Sequence, residues 1–185
     1  IKKEWLKTFV QSRDDVVLID TPIIMHPKTW EASGHLQNFT DPLVECKSCH
    51  ARFRADLLKD KKCSQCGKNE FTAAKNFNLM FKTFLGPVEN ESSVAYLRPE
   101  TAQSMFTDFD LVRETMRLKI PFGIAQIGHA FRNEITTGNF IFRSREFEQA
   151  EIEYFVKPGE DEKAFEEWVT NWENFIISLG IKKEN

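Results

Sequence analysis

Four cysteines form two pairs with the same spacing, Cys46 with Cys49 and Cys63 with Cys66. Each pair is a Cys-x-x-Cys turn, and 13 residues separate the two pairs. Two such turns can place four thiolates at the corners of a tetrahedron, which is the geometry that structural zinc requires. The sequence therefore predicts a zinc site closed by four sulfurs, with no position left for a reacting water.

The cysteines and their surroundings also allow other interpretations. They could form two disulfides or be unrelated core residues, and His50 could replace one sulfur as a ligand. Zinc is favoured because all four cysteines lie in one short window. The segment 45–71 around them holds seven basic and four acidic residues, a net charge of +3. This segment could contact RNA phosphates or could be a solvated basic loop, and the sequence favours neither.

A second chemically active group lies on two predicted strands, 122–135 and 140–156, joined by a Gly-containing turn at 136–139. Side chains alternate between the two faces of a strand. One face of this hairpin should therefore carry Gln126, Arg132, Glu134, Arg143, Arg145, Phe147, Gln149, Glu151 and Glu153.

This charged face could be an exposed surface of ion pairs. The single aromatic residue on it, Phe147, favours a nucleotide site instead. In such a site the ring stacks on the base, arginines hold phosphates, and carboxylates accept hydrogen bonds from amino groups.

The apolar pattern predicts the elements that position these groups. Apolar residues at helical spacing predict a helix at 4–13, and branched residues at 16–19 indicate a buried strand after it. A further apolar strand is predicted at 77–84. Helical spacing is present at 101–118 and, after the hairpin, at 164–179. The chain should therefore contain both helices and strands.

Composition excludes several classes of protein. The chain has 185 residues, of which 41% are hydrophobic and 29% charged, which is typical of a soluble globular domain rather than a low-complexity chain. The 25 basic and 28 acidic residues argue against a uniformly basic nucleic-acid coat, although not against a local RNA-binding patch. No apolar stretch approaches the roughly 20 residues that span a bilayer, so no membrane partner is predicted.

Particular stretches of the sequence resemble a known family. Residues 131–134 (FRNE), followed after a loop by residues 143–147 (RSREF), resemble motif 2 of the class II aminoacyl-tRNA synthetases. Residues 30–35 (WEASGH), 98–103 (RPETAQ) and 140–155 are closely similar to the glycyl-tRNA synthetase family of the dimeric type. The motifs RPETAQ and FRNE together are highly specific.

The resemblance covers about residues 16–172 and implies an α+β fold. Its core would be an antiparallel sheet of six or seven strands flanked by helices, with a small zinc-knuckle insertion. Residues 1–44 would begin the catalytic domain and contain a motif 1-like end, 45–71 would be the insertion, and 72–185 would be the core with motif 2. Motif 3 and an anticodon-binding domain would lie outside the chain, which is expected to be part of a longer enzyme.

The activity implied by the resemblance is that of a glycine–tRNA ligase. Such an enzyme uses ATP and Mg²⁺ to activate glycine as glycyl-adenylate, then transfers glycine to the 3′ end of tRNA(Gly). The whole enzyme would be a cytoplasmic homodimer, and this chain alone would be inactive or very weak. Two alternatives are a synthetase-like binding or regulatory module without catalysis, and a zinc-knuckle RNA-binding module in which the hairpin is only structural.

The resemblance also assigns roles to individual residues. Arg132 would be the catalytic residue and would hold the α-phosphate of ATP. Glu134 would accept a hydrogen bond from the adenine amino group, and Phe147 would stack on the purine. Arg143 would reach the β- and γ-phosphates, while Arg145 has no clear role.

Two carboxylates, Glu100 and Glu151, would bind the ammonium group of glycine and so offset the cost of burying that charge. Without the motif, Glu100 would be interpreted as a carboxylate that stabilises a helix N-terminus. Ser104 and His129 depart from the family pattern, which often has Gly and a basic residue there. Alternation places His129 on the apolar side, so we expect a packed, hydrogen-bonded histidine. The resemblance assigns no role to His35.

Overall fold

The computed structural model describes residues 1–58 and 61–184. They form two compact units, each built from separate stretches of chain. The first unit comprises Ile1–Thr21, Ala102–Gly128 and Ala150–Asn185, and the second comprises Pro22–Thr101 and His129–Gln149.

Helices and strands are mixed along the chain, as the sequence predicts. The helices are α1 (Lys2–Leu6), α2 (Pro27–Ala32), α3 (His35–Asn38), α4 (Ala102–Thr107), α5 (Phe109–Thr115) and α6 (Asp161–Ser178), and a π-helical turn at Lys7–Gln11 continues α1. The strands are β1 (Val16–Leu18), β2 (Ile24–Met25), β3 (Thr40–Glu45), β4 (Arg52–Arg54), β5 (Lys75–Asn78), β6 (Lys82–Phe84), β7 (Val94–Leu97), β8 (Phe122–Phe131) and β9 (Glu146–Phe155).

The described strands form three sheets of three strands each, in the orders β1-β8-β9, β2-β7-β6 and β4-β3-β5. Strand β1 runs parallel to β8, with Val16 opposite Gly123. The described residues therefore do not form the single antiparallel sheet of six or seven strands that the resemblance implies. The pairings of β7 with β2 and β6, and of β3 with β4 and β5, are antiparallel. At the end of β3, Cys46 forms an isolated bridge with Phe71, which brings together the two ends of the cysteine-containing segment.

Aromatic side chains fill the interior of the first unit. Phe9, only 1% exposed, contacts Trp172 and Phe175 of α6 with ring centres 4.7 and 5.0 Å away. In a second cluster Phe122 stacks on Phe109 with a ring separation of 5.4 Å. Part of the helical apolar stripe that the sequence shows at 164–179 thus packs in the first unit, whereas Phe165 and Val169 remain exposed.

The connection between β8 and β9 is longer than the sequence predicts. The predicted strands 122–135 and 140–156 are shortened to Phe122–Phe131 and Glu146–Phe155. Asn139 and Phe140 both have φ of 54°, and a 3-10 turn follows at Phe140–Phe142. Left-handed backbone of this kind cannot continue a strand. Arg132, Glu134 and Arg143 therefore lie in the loop between the two strands and not in the strands themselves.

No helix among the described residues is long and apolar enough to cross a membrane.

A polar cluster in the first unit ties the start of β1 to β9. Arg13 donates from Nε and Nη2 to the two carboxylate oxygens of Asp15, at 2.8 and 2.7 Å, and the Tyr154 hydroxyl donates to Asp15 at 2.7 Å. These hydrogen bonds, that from Arg13 above all, lower the pKa of Asp15. Burial, together with the neighbouring Asp15 carboxylate, raises the pKa of Tyr154 to about 12.

This cluster predicts a pH-dependent contribution to stability. Because the pKa of Asp15 is lower in the folded chain, its contribution is complete above the unfolded value, about pH 4, and is lost as pH falls through the folded value. We expect Asp15→Asn to reduce the free energy of unfolding at pH 7 by about 1 kcal/mol, since a third of the side chain is exposed and solvent screens the pair. Urea titrations from pH 7 to pH 3 would measure this difference.

The neighbouring, exposed Asp14 supplies the matched control. Asp14→Asn should change stability little at any pH. A deficit of Asp15→Asn that stays constant down to pH 3 would contradict the assignment.

Candidate active site and metal centre

Arg132 is held from three directions in the second unit. Its Nε donates to the carbonyl of Pro99 at 3.1 Å. Its guanidinium carbon lies 5.5 Å from the ring centre of Phe39 and 5.2 Å from that of Phe147. The structure thus brings together two predicted site residues, Arg132 and Phe147. A planar guanidinium oriented in this way is suited to bind a phosphate.

Glu134 follows Arg132 in a tight turn, in which its amide donates to the Arg132 carbonyl at 2.7 Å. Its carboxylate oxygen Oε2 is buried and has no hydrogen-bond donor among the described residues. A buried acceptor without a donor carries a free-energy cost that a ligand can remove. An amino group of a nucleotide base is one donor that would do so.

Arg145 stabilises the turn at Arg132–Glu134 through hydrogen bonds to its backbone. Its Nε and Nη2 donate to the backbone carbonyl of Glu134 at 3.1 and 3.0 Å. Its own carbonyl accepts from the Arg132 amide at 3.0 Å. The sequence assigns no clear role to Arg145. In the structure its side chain supports the backbone that carries Arg132 and Glu134.

Arg143 lies at a cavity of about 440 Å³ in the second unit. The cavity is lined on one side by the loop between β8 and β9 and on the other by the cysteine-containing segment. Arg54 and Lys62 line it as well, but the Arg54 guanidinium is paired with Asp41 and Asp56, each at 2.8 Å. Its described lining does not include Arg132, Glu134 or Phe147.

The two carboxylates predicted to bind an ammonium group belong to different units. Glu100 lies in the second unit, directly after Pro99, whose carbonyl anchors Arg132. Its side chain is 25% exposed. Glu151 is a half-buried residue of β9 in the first unit.

Ser104, which departs from the family pattern, has a buried partner. Its hydroxyl donates to Oε1 of Gln126 at 3.1 Å, and the Thr21 hydroxyl donates to the same oxygen at 3.0 Å. Gln126 is completely buried. A hydroxyl at position 104 thus satisfies a buried amide, which a glycine there could not do.

His129 is not the packed histidine that alternation predicts. It is 48% exposed, with Nδ1 3.0 Å from Glu146 and Nε2 3.7 Å from Glu148. At this end of β8 the buried face is that of Ala130, which is completely buried. His129 therefore points to the opposite, open face and pairs with carboxylates of β9.

Arg98 is a positioning residue that the sequence analysis missed. It is only 2% exposed, and its Nε donates to the carbonyl of His129 at 2.8 Å. Its backbone amide donates to Ile23, and its carbonyl accepts from Phe131. It therefore fixes the segment 98–101 beside the end of β8. An arginine directly before Pro-Glu in an otherwise apolar stretch was the available signal.

The four cysteines form one cluster, with all Sγ atoms within 4.8 Å of one another. The closest sulfurs are those of Cys49 and Cys63, 3.5 Å apart, and of Cys46 and Cys66, 3.6 Å apart. A disulfide would require about 2.05 Å, and all four thiols are free. A tetrahedral site with metal–sulfur bonds of about 2.3 Å has sulfur–sulfur edges close to the observed distances.

The two cysteine turns have the same backbone structure. The amide of His50 donates to the Cys46 carbonyl at 2.9 Å, and that of Gly67 donates to the Cys63 carbonyl at 2.8 Å. His50 and Gly67 occupy equivalent positions and both have positive φ, 59° and 74°. The His50 ring, however, is 77% exposed and contacts Glu45 at 2.9 Å, so it lies outside the sulfur cluster.

Backbone amides lower the pKa of two of the four thiols, Cys46 and Cys63, whereas burial and neighbouring sulfurs raise the pKa of Cys49 and Cys66. Burial raises the pKa of Cys63, but the amides of Cys66 and Gln65 outweigh it and lower the pKa to about 7. A thiolate is the form that binds a metal. This donor set therefore fits a thiophilic ion such as zinc.

Comparisons with known proteins agree with this geometry. Residues 81–185 match the family described as tRNA synthetase class II core domain (G, H, P, S and T). The chain is 52% identical to glycine–tRNA ligase of Streptomyces coelicolor, with 100% of the chain and 44% of the relative aligned. It is 48% identical to that of Geobacillus kaustophilus (100% and 46%) and 51% identical to that of Treponema denticola (98% and 41%). The chain thus spans less than half the length of these relatives.

Solved structures show the same fold at low sequence identity. The chain is similar to a structure titled as the RNA binding domain of threonyl-tRNA synthetase from Cryptosporidium parvum, with a TM-score of 0.58, 18% identity, and 96% of this chain and 34% of that chain covered. It is also similar to a pyrrolysyl-tRNA synthetase, PylSc, from Desulfitobacterium hafniense, with a TM-score of 0.54, 17% identity, and 98% and 44% covered. The predicted class II-like α+β fold is confirmed. The chain therefore belongs to the tRNA synthetase class II core domain family.

Proposed function

We propose that this chain is the motif 2-containing part of the catalytic domain of a glycine–tRNA ligase. The observation that carries the proposal is the identity of about half the residues, along the whole chain, to curated glycine–tRNA ligases. The oriented guanidinium of Arg132, the unsatisfied Oε2 of Glu134 and the nearby segment of Glu100 support it.

In the proposed reaction a carboxylate oxygen of glycine attacks the α-phosphorus of ATP. The new bond gives glycyl-adenylate, and the bond to the β-phosphate oxygen breaks to release pyrophosphate. Arg132 is proposed to stabilise the negative charge that shifts between these oxygens. Its packing on Phe39 and Phe147 supports this role because the charge needs no reorientation during the reaction.

The other nucleotide contacts are proposed on the same basis. Phe147 would stack on adenine, and Arg143 would bind the β- and γ-phosphates. The neighbouring Lys62 adds positive charge at the Arg143 cavity. When bound, Mg²⁺ supplies neutralisation of the polyphosphate charge. The terminal ribose of tRNA(Gly) would then take glycine from the adenylate.

Glu134 yields a prediction that separates ATP binding from glycine binding. Glu134→Ala should raise the KM for ATP about tenfold, because it removes a charged hydrogen-bond acceptor from the proposed adenine site, while the KM for glycine stays the same. ATP–pyrophosphate exchange at varied ATP and glycine concentrations measures both constants. Glu89→Ala, at an exposed loop residue, is the control. An unchanged KM for ATP would contradict the role of Glu134.

Glu100 is proposed to bind the glycine ammonium, while the same role for Glu151, a residue of the other unit, stays a prediction. A carboxylate on this ammonium would distinguish an amino acid from an acid that lacks the amine. Alanine would have to be rejected by a steric clash with its methyl group, which requires no editing step against a larger competitor.

The sulfur cluster is proposed to hold one structural Zn²⁺ through Cys46, Cys49, Cys63 and Cys66. Support comes from the sulfur–sulfur distances and from the matched backbone turns. With all four positions taken by sulfur, the ion would stabilise the segment 45–71 and would not take part in the reaction.

The whole protein is proposed to be a cytoplasmic homodimer. The motif 1-like segment exposes two apolar side chains, Ile23 (38%) and Ile24 (42%), which a second copy could cover. The proposed function as a whole is tested by aminoacylation: the full-length protein should transfer labelled glycine to tRNA(Gly) in the presence of ATP and Mg²⁺. Absence of charging by a folded, zinc-loaded protein would contradict it.

A further inference from the structure

Residues 30–35 resemble the family, but the resemblance gives His35, the last of them, no role. The structure shows specific contacts around this histidine. Trp30, at the end of α2, is completely buried. Gly34 has φ of 78°, a backbone conformation that favours glycine. A side chain there would also come within 3.1 Å of Asn38. This turn ends α2 and starts α3 at His35.

The His35 side chain connects Ser33 to Glu100. Its Nδ1 lies 2.8 Å from the Ser33 hydroxyl oxygen, and its Nε2 lies 3.4 Å from Oε1 of Glu100. The ring is edge-on to Trp30 at a centre distance of 5.4 Å and lies at the same distance from Phe39. The side chain is 13% exposed, so its orientation is defined by packing as well as by polar contacts.

These contacts define where the ring carries its proton. The Ser33 hydroxyl lies 2.8 Å from Nδ1 and 3.4 Å from the Trp30 carbonyl, so it can donate to either group and fits both tautomers. The Glu100 carboxylate beside Nε2 decides between the tautomers, because it favours a proton on Nε2. The opposite tautomer would place a nitrogen lone pair against a carboxylate oxygen, which is unfavourable. The proton on Nε2 is therefore presented to Glu100 in both the neutral and the charged ring.

The backbone on both sides of this contact is anchored. The Asn78 side chain donates from Nδ2 to the carbonyls of His35 and Leu36, both at 3.0 Å, which holds α3 against β5. On the other side, the Pro99 carbonyl accepts from Arg132. Glu100 thus sits between a fixed histidine and the segment that orients Arg132.

We propose that His35 is a positioning residue for glycine binding: its Nε2–H fixes the Glu100 carboxylate in the orientation that receives the glycine ammonium. This inference rests on the proposed function, in which Glu100 binds that ammonium. Ser33 acts through His35 by holding the other side of the ring at Nδ1. His35 itself does not touch the reacting atoms.

The kinetic test uses ATP–pyrophosphate exchange by the full-length protein. His35→Ala should raise the KM for glycine about tenfold, the effect of one lost charge-assisted hydrogen bond, with the KM for ATP unchanged. His35→Gln keeps an N–H donor at a similar distance and should restore the KM for glycine to within about threefold. His50→Ala, which alters a 77% exposed histidine, should change neither constant. Equal effects of the Ala and Gln substitutions, or a fall in kcat alone, would overturn the proposal.

A spectroscopic test separates this inference from the proposed function. Long-range ¹⁵N–¹H spectra of the full-length protein should show His35 with its proton on Nε2, and Glu100→Gln should shift the Nε2 resonance. A proton on Nδ1, or no response to Glu100→Gln, would overturn the role of His35 whether or not the enzyme activates glycine. A wild-type protein without glycine-dependent exchange, but with the expected spectrum, would instead contradict the proposed function.

Discussion

Replacing Arg132 with alanine is expected to reduce glycine-dependent ATP–pyrophosphate exchange by about 100- to 1,000-fold, the usual effect of removing an oriented donor to a developing negative charge. The reduction should appear in kcat, because the charge on the reacting phosphate changes mainly at the transition state. Arg132→Lys should recover only a small part of the rate. A lysine keeps the charge but loses the planar guanidinium that contacts Pro99 and the rings of Phe39 and Phe147.

The matched control for Arg132 is Arg52→Ala. Arg52 is 68% exposed and pairs with Glu45 on the surface, so its loss should cost little activity. Thermal unfolding of each variant shows whether a loss of rate reflects a loss of fold. Normal exchange by a folded Arg132→Ala protein would remove Arg132 from the reaction and contradict the proposed site.

Replacing one cysteine of the sulfur cluster is expected to remove the bound metal and to destabilise the segment around it. Cys63 is 2% exposed and lies 3.5 Å from the Cys49 sulfur, so Cys63→Ser should remove the metal. Structural zinc contributes on the order of 10 kcal/mol in small zinc-binding units. Without it, the segment 45–71 should become sensitive to proteases. Metal analysis should find one zinc per wild-type chain and far less in the variant.

Ser64→Ala is the matched control for Cys63→Ser, because it changes the adjacent residue and leaves all four sulfurs. It should keep one zinc per chain and the wild-type pattern of proteolysis. Chelation of the wild-type protein should reproduce the Cys63→Ser result. A protein that contains no zinc when purified under reducing conditions, or that keeps its proteolytic pattern after chelation, would contradict a structural zinc site.

Some features could be predicted from the sequence because they depend on local spacing. The Cys-x-x-Cys pairs require two similar turns, and the structure contains them with equivalent hydrogen bonds at His50 and Gly67. The mixed helices and strands follow from apolar periodicity, as in α6. The family motifs identify a class II core, which the comparisons confirm.

Other features depend on contacts between distant residues or on unusual backbone, and periodicity does not encode them. Both predicted strands are shorter in the structure, and the left-handed Asn139 and Phe140 keep the start of the second one in a loop. His129 is open to solvent because its face of β8 is uncovered at that end. The contact of His35 with Glu100 joins residues 65 positions apart in the chain, so only the folded chain shows why a histidine ends the WEASGH stretch.

ATP–pyrophosphate exchange by the full-length protein, with one amino acid at a time, shows whether the site activates glycine. Glycine, histidine, proline, serine and threonine cover the specificities in the family description, and alanine tests rejection of a single methyl group. We expect exchange with glycine to exceed exchange with every other amino acid by at least about 100-fold. A comparable rate with any of the others, or no exchange with glycine, would contradict this expectation.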